Sequence, residues 1–139
     1  MKQILIDTNV ILDLALNRQK FGEIAKTLIT QILDNKIQPS VTASSITDIY
    51  YVLKKAKGHS NSIDFLHSFF GFAEIAGVGK DAIINALHSD MADFEDAVQT
   101  ETAKQNDIRV IITRNKKDFT NSGLDVFSPD EYINHLMQK

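Results

Sequence analysis

Gln3-Ile4-Leu5-Ile6-Asp7 places the tightest constraint on what this chain can fold into. Three large apolar residues in succession leave a strand no polar face. Such a strand must be covered on both sides, as in parallel sheets flanked by helices. The run stops at a carboxylate, so Asp7 is delivered to the strand's carboxyl end. Val110-Ile111-Ile112-Thr113 is a second run of this kind, and shorter candidates are Ile37–Ala43, Glu74–Val78 and Asp125-Val126-Phe127. Pro39 has no N–H to give a ladder, so the strand around it is expected to begin after it.

Helical patterns fill the intervals. Phe21, Ile24, Ala25, Leu28 and Ile32 trace the stripe of an amphipathic helix. Ile46, Ile49, Tyr50 and Leu53 repeat it, as do Ile63, Leu66, Phe69 and Phe70, and then Phe94, Ala97 and Val98. Ser128-Pro129-Asp130-Glu131 reads as a capping box with proline at the first helical position. The helix it opens is expected to bury Tyr132, Ile133, Leu136 and Met137. Strands alternating with helices give an α/β fold on a mostly parallel sheet of about five strands. The 139 residues, free of repeats, low-complexity tracts and linkers, fit one domain spanning 1–139.

Composition then removes several classes of function. Without cysteine there is no disulfide scaffold, no Cys-ligated zinc and no thiol nucleophile. No apolar run approaches the length of a membrane span, and Met1-Lys2 leads into a strand rather than a signal peptide, so a cytoplasmic protein is expected. A net charge of −3 argues against indiscriminate binding of nucleic acid. It leaves room for an enzyme whose acids are gathered to hold metal.

The placement of the acids supports such a gathering. Ligands of open parallel sheets bind beyond the carboxyl ends of the strands. Asp7 ends the first strand there. Asp48 is expected in the first turn of the helix after the Ile37–Ala43 strand, at the same edge. Asp93 and Asp96 begin a helix that runs back into the Val110 strand, and Asp118 follows that strand after Arg114-Asn115-Lys116-Lys117. Five carboxylates from four segments thus converge, at a cost in mutual repulsion unless a cation is present. An all-oxygen set without His or Cys suits Mg²⁺ or Mn²⁺, and a metal so held activates water and stabilises charge on phosphate oxygens. Phosphodiester hydrolysis is the chemistry this fits best. Each acid also has a plainer use. Asp7 could cap the next helix, Ser45-Ile46-Thr47-Asp48 matches a capping box, Asp93 is a natural N-cap, and Asp118 sits in a turn-forming segment.

These residues resemble the PIN-domain family, the metal-dependent ribonuclease fold that includes VapC-type toxins. The resemblance lies in Ile4-Leu5-Ile6-Asp7-Thr8-Asn9-Val10-Ile11-Leu12-Asp13 and in Thr42-Ala43-Ser44-Ser45-Ile46-Thr47-Asp48-Ile49-Tyr50. It continues in Asp93-Phe94-Glu95-Asp96-Ala97, in Ala103, and in Ile112-Thr113-Arg114-Asn115-Lys116-Lys117-Asp118-Phe119. It implies a three-layer α/β/α fold and an acidic pocket for one or two Mg²⁺ or Mn²⁺ ions. Asp7 would be the first metal ligand and Asp96 the acid of the second-half helix. Asp48 would occupy a position where the family commonly has Glu, and Asn115 and Asp118 compete for the fourth. Asn9 and Thr113 resemble supporting polar residues, and Asp93 an acid of one branch of the family. The mechanism it implies is in-line attack of an activated water on phosphorus, leaving 3′-hydroxyl and 5′-phosphate ends. Family members are often homodimers, and the toxins are inhibited by an antitoxin, so an RNA substrate, a homodimer and a cognate antitoxin are the expected partners.

Arg114, Lys116 and Lys117 stand beside this site and could guide an RNA backbone, or simply keep the surface soluble. Lys54, Lys55 and Lys57 read as a helix C-terminus answering the macrodipole. The four histidines match no ligand spacing. Phe65, Phe69, Phe70 and Phe72 read as core, with a groove or dimer surface as a further use of the surplus. Two other functions compete. A receiver-type phosphoacceptor domain would need an acidic pair beside the first strand and an Asp ending a central one. A catalytically silent PIN-like module would bind RNA or act as a scaffold without cutting it.

Overall fold

In the computed structural model, residues 2–138 are described; Met1 and Lys139, the outermost residues of the expected domain, lie outside them. Five strands, β1 (Gln3–Ile6), β2 (Gln38–Thr42), β3 (Glu74–Ala76), β4 (Val110–Ile112) and β5 (Asp125–Phe127), form one sheet in the order β3-β2-β1-β4-β5. Every pairing is parallel. The helices are α1 (Thr8–Leu16), α2 (Phe21–Asp34), α3 (Ala43–Lys57), α4 (His59–Phe69), α5 (Lys80–Leu87), α6 (Phe94–Gln105) and α7 (Pro129–Met137). A 3₁₀ turn, Lys116–Phe119, joins β4 to β5.

The two apolar faces of β1 decide the layering. Ile4 and Ile6 pack with Val41, Val110 and Ile112 against Leu28, Ile32, Ile49, Leu53, Phe69 and Tyr132 from α2, α3, α4 and α7. Leu5 and Ile111 face the opposite way, toward Ala76, Ala103, Ile108 and Phe119. Helix α5 completes that layer through Ala86 against Ala97 and Val98 of α6. This is a three-layer α/β/α sandwich with a fully parallel sheet.

Four local expectations change. Pro39 lies inside β2, paired with Ile4. The Gln38 N–H donates to Lys2 O at 2.8 Å on the β1 side, so alternation turns the Pro39 nitrogen toward β3. There pairing starts only at Ser40 with Glu74, and no ladder bond is lost. Helix α3 starts at Ala43, with Thr42 in the N-cap position and its hydroxyl bonded to those of Ser44 and Ser45, so no capping box forms at Ser45 and Asp48 falls in the second turn rather than the first. Phe94 is exposed, because α6 turns a largely polar stripe, including Gln99, Thr100 and Thr102, toward the sheet. Met137 is exposed as well, one position past the last buried turn of α7. The Ser128–Glu131 capping box forms as read. The phenylalanines are chiefly core, with Phe69 buried and Phe65, Phe70 and Phe72 packed against it. Among the described residues no helix is long and apolar enough to cross a membrane.

Glycine is required at the corner between α1 and α2. A Cβ on Gly22 would stand 2.8 Å from the backbone carbon of Asn17, so only glycine lets α2 fold back over the end of α1.

Candidate active site

The chain runs outward from β1 to β2 to β3, then returns to place β4 on the other side of β1. The reversal falls between β1 and β4, and in parallel sheets the crevice above such a switch is where ligands bind. Asp7 lies at its floor. Its N–H continues the β1–β4 ladder to Ile112 O at 3.0 Å, and its side chain caps α1. Oδ1 accepts from Thr8 N at 2.8 Å and from Gln99 Nε2 at 3.1 Å, while Oδ2 accepts from the Thr113 hydroxyl at 2.8 Å. With 6% of its surface exposed, this carboxylate is held in one orientation by three donors from α1, α6 and the end of β4.

The other acids surround it. Asp7, Asp48, Asp93, Glu95, Asp96 and Asp118 line one cavity of about 590 Å³, with Asn9, Asn115 and Gln99 also in its wall. All seven of the cavity residues singled out in the sequence (Asp7, Asn9, Asp48, Asp93, Asp96, Asn115 and Asp118) are thereby brought together. Thr113 stands behind Asp7, and its hydroxyl also accepts from Asn115 N at 3.0 Å. Asp93 caps α6 by accepting from Asp96 N at 2.9 Å, so its plain structural use is realised alongside its place in the cavity. Asn115 and Asp118 both face the cavity, linked through Asp118 N to Asn115 O at 3.0 Å.

Crowding shows in the protonation of the acids. Burial, followed by the charges of Asp93, Asp7, Asp118 and Glu95, pushes the Asp96 carboxyl up to about 7. Burial and the neighbouring Asp48 carboxyl raise Glu95 as well. Among the described residues, none of the six acids is in an ion pair, and no Lys or Arg lines the cavity. No three acid or histidine side chains among the described residues are drawn together as a finished metal cage. Mg²⁺ is ordinarily held by one or two carboxylates and keeps several waters. An oxygen-only wall with uncompensated negative charge suits a hard divalent cation of that kind, and Asp7, Asp48 and Asp96 are the candidate ligands in it.

The basic residues fare differently. Arg114 turns away from the cavity, with Nε 2.7 Å from Asp13 Oδ2 and Nη2 3.2 Å from Oδ1. Its guanidinium lies 4.2 Å from the centre of the Phe21 ring. Asp13 is almost wholly buried and also accepts from Arg18 at 3.2 Å. Lys116 pairs with Glu131 at 2.9 Å. Lys117 alone of the three carries no ion pair among the described residues.

Sequence reasoning missed Glu95, Gln99 and Asp13. Glu95 lay within the acidic quartet already noticed, and Gln99 sits one helical turn beyond Asp96, a spacing that would have placed it on the same face. Asp13 ends the run that carries the resemblance, but nothing local signals its buried pairing, since Arg114 lies 101 positions away.

Comparison with known proteins agrees with this geometry. Ribonuclease VapC1 of Aquifex aeolicus (strain VF5) is 25% identical over 136 residues, covering 94% of this chain and 93% of the relative. The solved structure of VapBC2 from Rickettsia felis, bound to a promoter DNA fragment, matches with a TM-score of 0.70 at 13% identity, over 91% of this chain and 98% of that one. A toxin–antitoxin complex from Klebsiella pneumoniae matches with a TM-score of 0.67 at 24% identity, over 91% and 97%. The family model for the PIN domain matches residues 3–117. That span runs from β1 into the 3₁₀ turn and takes in every acid of the cavity except Asp118, and on it the chain belongs to the PIN-domain family.

Proposed function

We propose that this chain is a divalent-metal-dependent endoribonuclease, the toxin of a type II toxin–antitoxin pair, acting as a single domain in the cytoplasm. The observation that carries the reading is the cavity: six carboxylates at the strand switch, without a counter-cation among the described residues. The name of the Aquifex relative, a ribonuclease, and the Klebsiella toxin–antitoxin complex support it. Family membership leaves no place for the receiver-type alternative.

Asp7, Asp96 and Asp48 would hold one or two Mg²⁺ or Mn²⁺ ions, with Asn115 or Asp118 completing the surroundings. A cation there supplies activation of water and stabilises charge developing on the phosphate oxygens. Thr8, Gln99 and Thr113 keep the Asp7 carboxylate from rotating away. Asp96 retains a proton up to about pH 7 in the metal-free protein and gives it up on loading, so affinity should rise with pH. Lys117, without an ion pair among the described residues, would steer the RNA backbone, whereas Arg114 is committed to buried Asp13 and Lys116 is paired with Glu131. Cleavage leaves 3′-hydroxyl and 5′-phosphate ends. A second copy would cover Ile84, Leu87 and Phe94, exposed apolar residues on α5 and at the start of α6.

Cleavage of a labelled RNA in Mn²⁺, in EDTA and with Asp7→Asn tests the reading. Cutting should need Mn²⁺ and vanish in Asp7→Asn, while the unfolding transition of that variant persists. Undiminished cutting by Asp7→Asn would overturn it. Asp48, exposed and one methylene shorter than the Glu common at its position, favours a second reading, a silent RNA-binding module. RNA binding without cutting at millimolar Mn²⁺ is the result that reading requires.

A further inference from the structure

Tyr51 and Val52 follow Asp48 by three and four positions on α3, so the three side chains share one helix face. With Leu12 of α1 they give the carboxylate cavity an apolar wall. Tyr51 is 62% exposed and Val52 38%. The tyrosine ring is nevertheless braced. Tyr50 packs edge-to-face against it, with centroids 5.4 Å apart and planes at 66°. Tyr50 is itself fixed, its hydroxyl 2.7 Å from His59 Nδ1 and its ring edge-to-face with the imidazole at 5.7 Å. A chain of three rings thus holds an open aromatic surface beside the acids, and the core has no use for it.

Carboxylates and their cations engage the phosphate of a nucleotide and offer nothing to its base. The nucleotide whose phosphate lies at Asp48 carries its base within reach of a residue one helical turn away. We propose that Tyr51 is a stacking platform for an unpaired nucleobase beside the scissile phosphate. The inference rests on the ribonuclease reading of the cavity. Bases within a duplex have both faces covered by their neighbours, whereas an unpaired base can lie on an aromatic ring whatever its identity. Val52 and Leu12 extend the apolar surface on which such a base rests.

Steady-state cleavage in Mn²⁺ of an unstructured oligoribonucleotide, alone and annealed to its complement, provides the test. The wild type should cut the single strand and spare the duplex. Tyr51→Ala should raise KM for the single strand about 10-fold with kcat little changed, and Tyr51→Phe, which keeps the stack, should stay within about 2-fold. An unchanged KM in Tyr51→Ala, or equal cutting of the duplex by the wild type, overturns the proposal. If the wild type cuts no RNA, the ribonuclease reading fails and the platform is still decided by binding. Quenching of a single-stranded RNA carrying 2-aminopurine by the wild type, and its loss in Tyr51→Ala, supports it; equal quenching by both removes it.

Discussion

Replacing Asp96 by Asn takes a charge out of the most crowded point of the cavity, and the metal-free protein should become more stable for it. In the folded protein the carboxyl is raised from 3.8 to about 7. A raised acid binds its proton more tightly in the folded chain than in the unfolded one. Its contribution is therefore present in full below about pH 4 and is lost as the pH climbs to about 7. A shift of this size, at about 1.4 kcal/mol per unit, would cost about 4 kcal/mol in a site closed to water. Asp96 is only partly buried, and screening brings the cost down to about 2 kcal/mol. The N-terminus of α6 returns about 0.3–1 kcal/mol to an acid in its first turn. The net gain for Asp96→Asn is then about 1 kcal/mol, or a rise of about 3–5 °C for a chain of this length. Thermal unfolding in EDTA should show that rise at pH 8 and little of it at pH 4.5. Added Mn²⁺ should stabilise the wild type more than the variant. An Asp96→Asn protein that melts at or below the wild type at pH 8 in EDTA refutes the account of repulsion.

Three further changes separate the parts of the site. Thr113→Val removes the donor to Asp7 Oδ2 and should cost about 1.5–3 kcal/mol in denaturant unfolding, with cleavage falling as the carboxylate loosens. Asp13→Ala leaves Arg18 and Arg114 without their shared partner. Both arginines reach solvent, so the loss should lie near the lower end for a buried pair, about 3 kcal/mol, read as a drop in Tm. Lys117→Ala should weaken RNA binding evenly across sequences and flatten its dependence on log salt by about 1, whereas Lys116→Ala, already paired with Glu131, should leave that slope nearly unchanged.

The residues that carry their own burial signal were legible in the sequence. Ile4 to Ile6 could only be a strand covered on both faces, and the acid ending it had to reach the ligand-binding edge. Pro39 misled because the rule against proline in strands concerns a missing donor, and here the missing donor faces a position where the neighbouring strand has not begun. Helix α6 was harder to read, since the face it buries carries Gln99, Thr100 and Thr102 while Phe94 points outward. On that face Gln99 donates to Asp7, a tertiary contact that gives a polar residue a place in the interior. Helix α5 carries a stripe of Ala82, Ile83, Ala86 and Leu87 but is only eight residues long, too short a window for the periodicity to announce it. Arg114 looked like a hand for RNA because its nearest neighbours are basic. Its partner lies 101 positions earlier, and only folding brings it near.

The donors that fix Asp7 carry a consequence for the order of events in synthesis. Asp7 is made well before two of the groups that hold it, since Gln99 follows it by 92 positions and Thr113 by 106. Contacts of such separation close late, after their loop entropy has been met by other packing. A nascent chain that stops before α6 can build β1, β2 and the helices between them, and still lacks two of the three donors that aim the Asp7 carboxylate, Gln99 and Thr113. On the ribonuclease reading, the ability to cut is withheld from every incomplete copy until Gln99 and Thr113 have docked on Asp7.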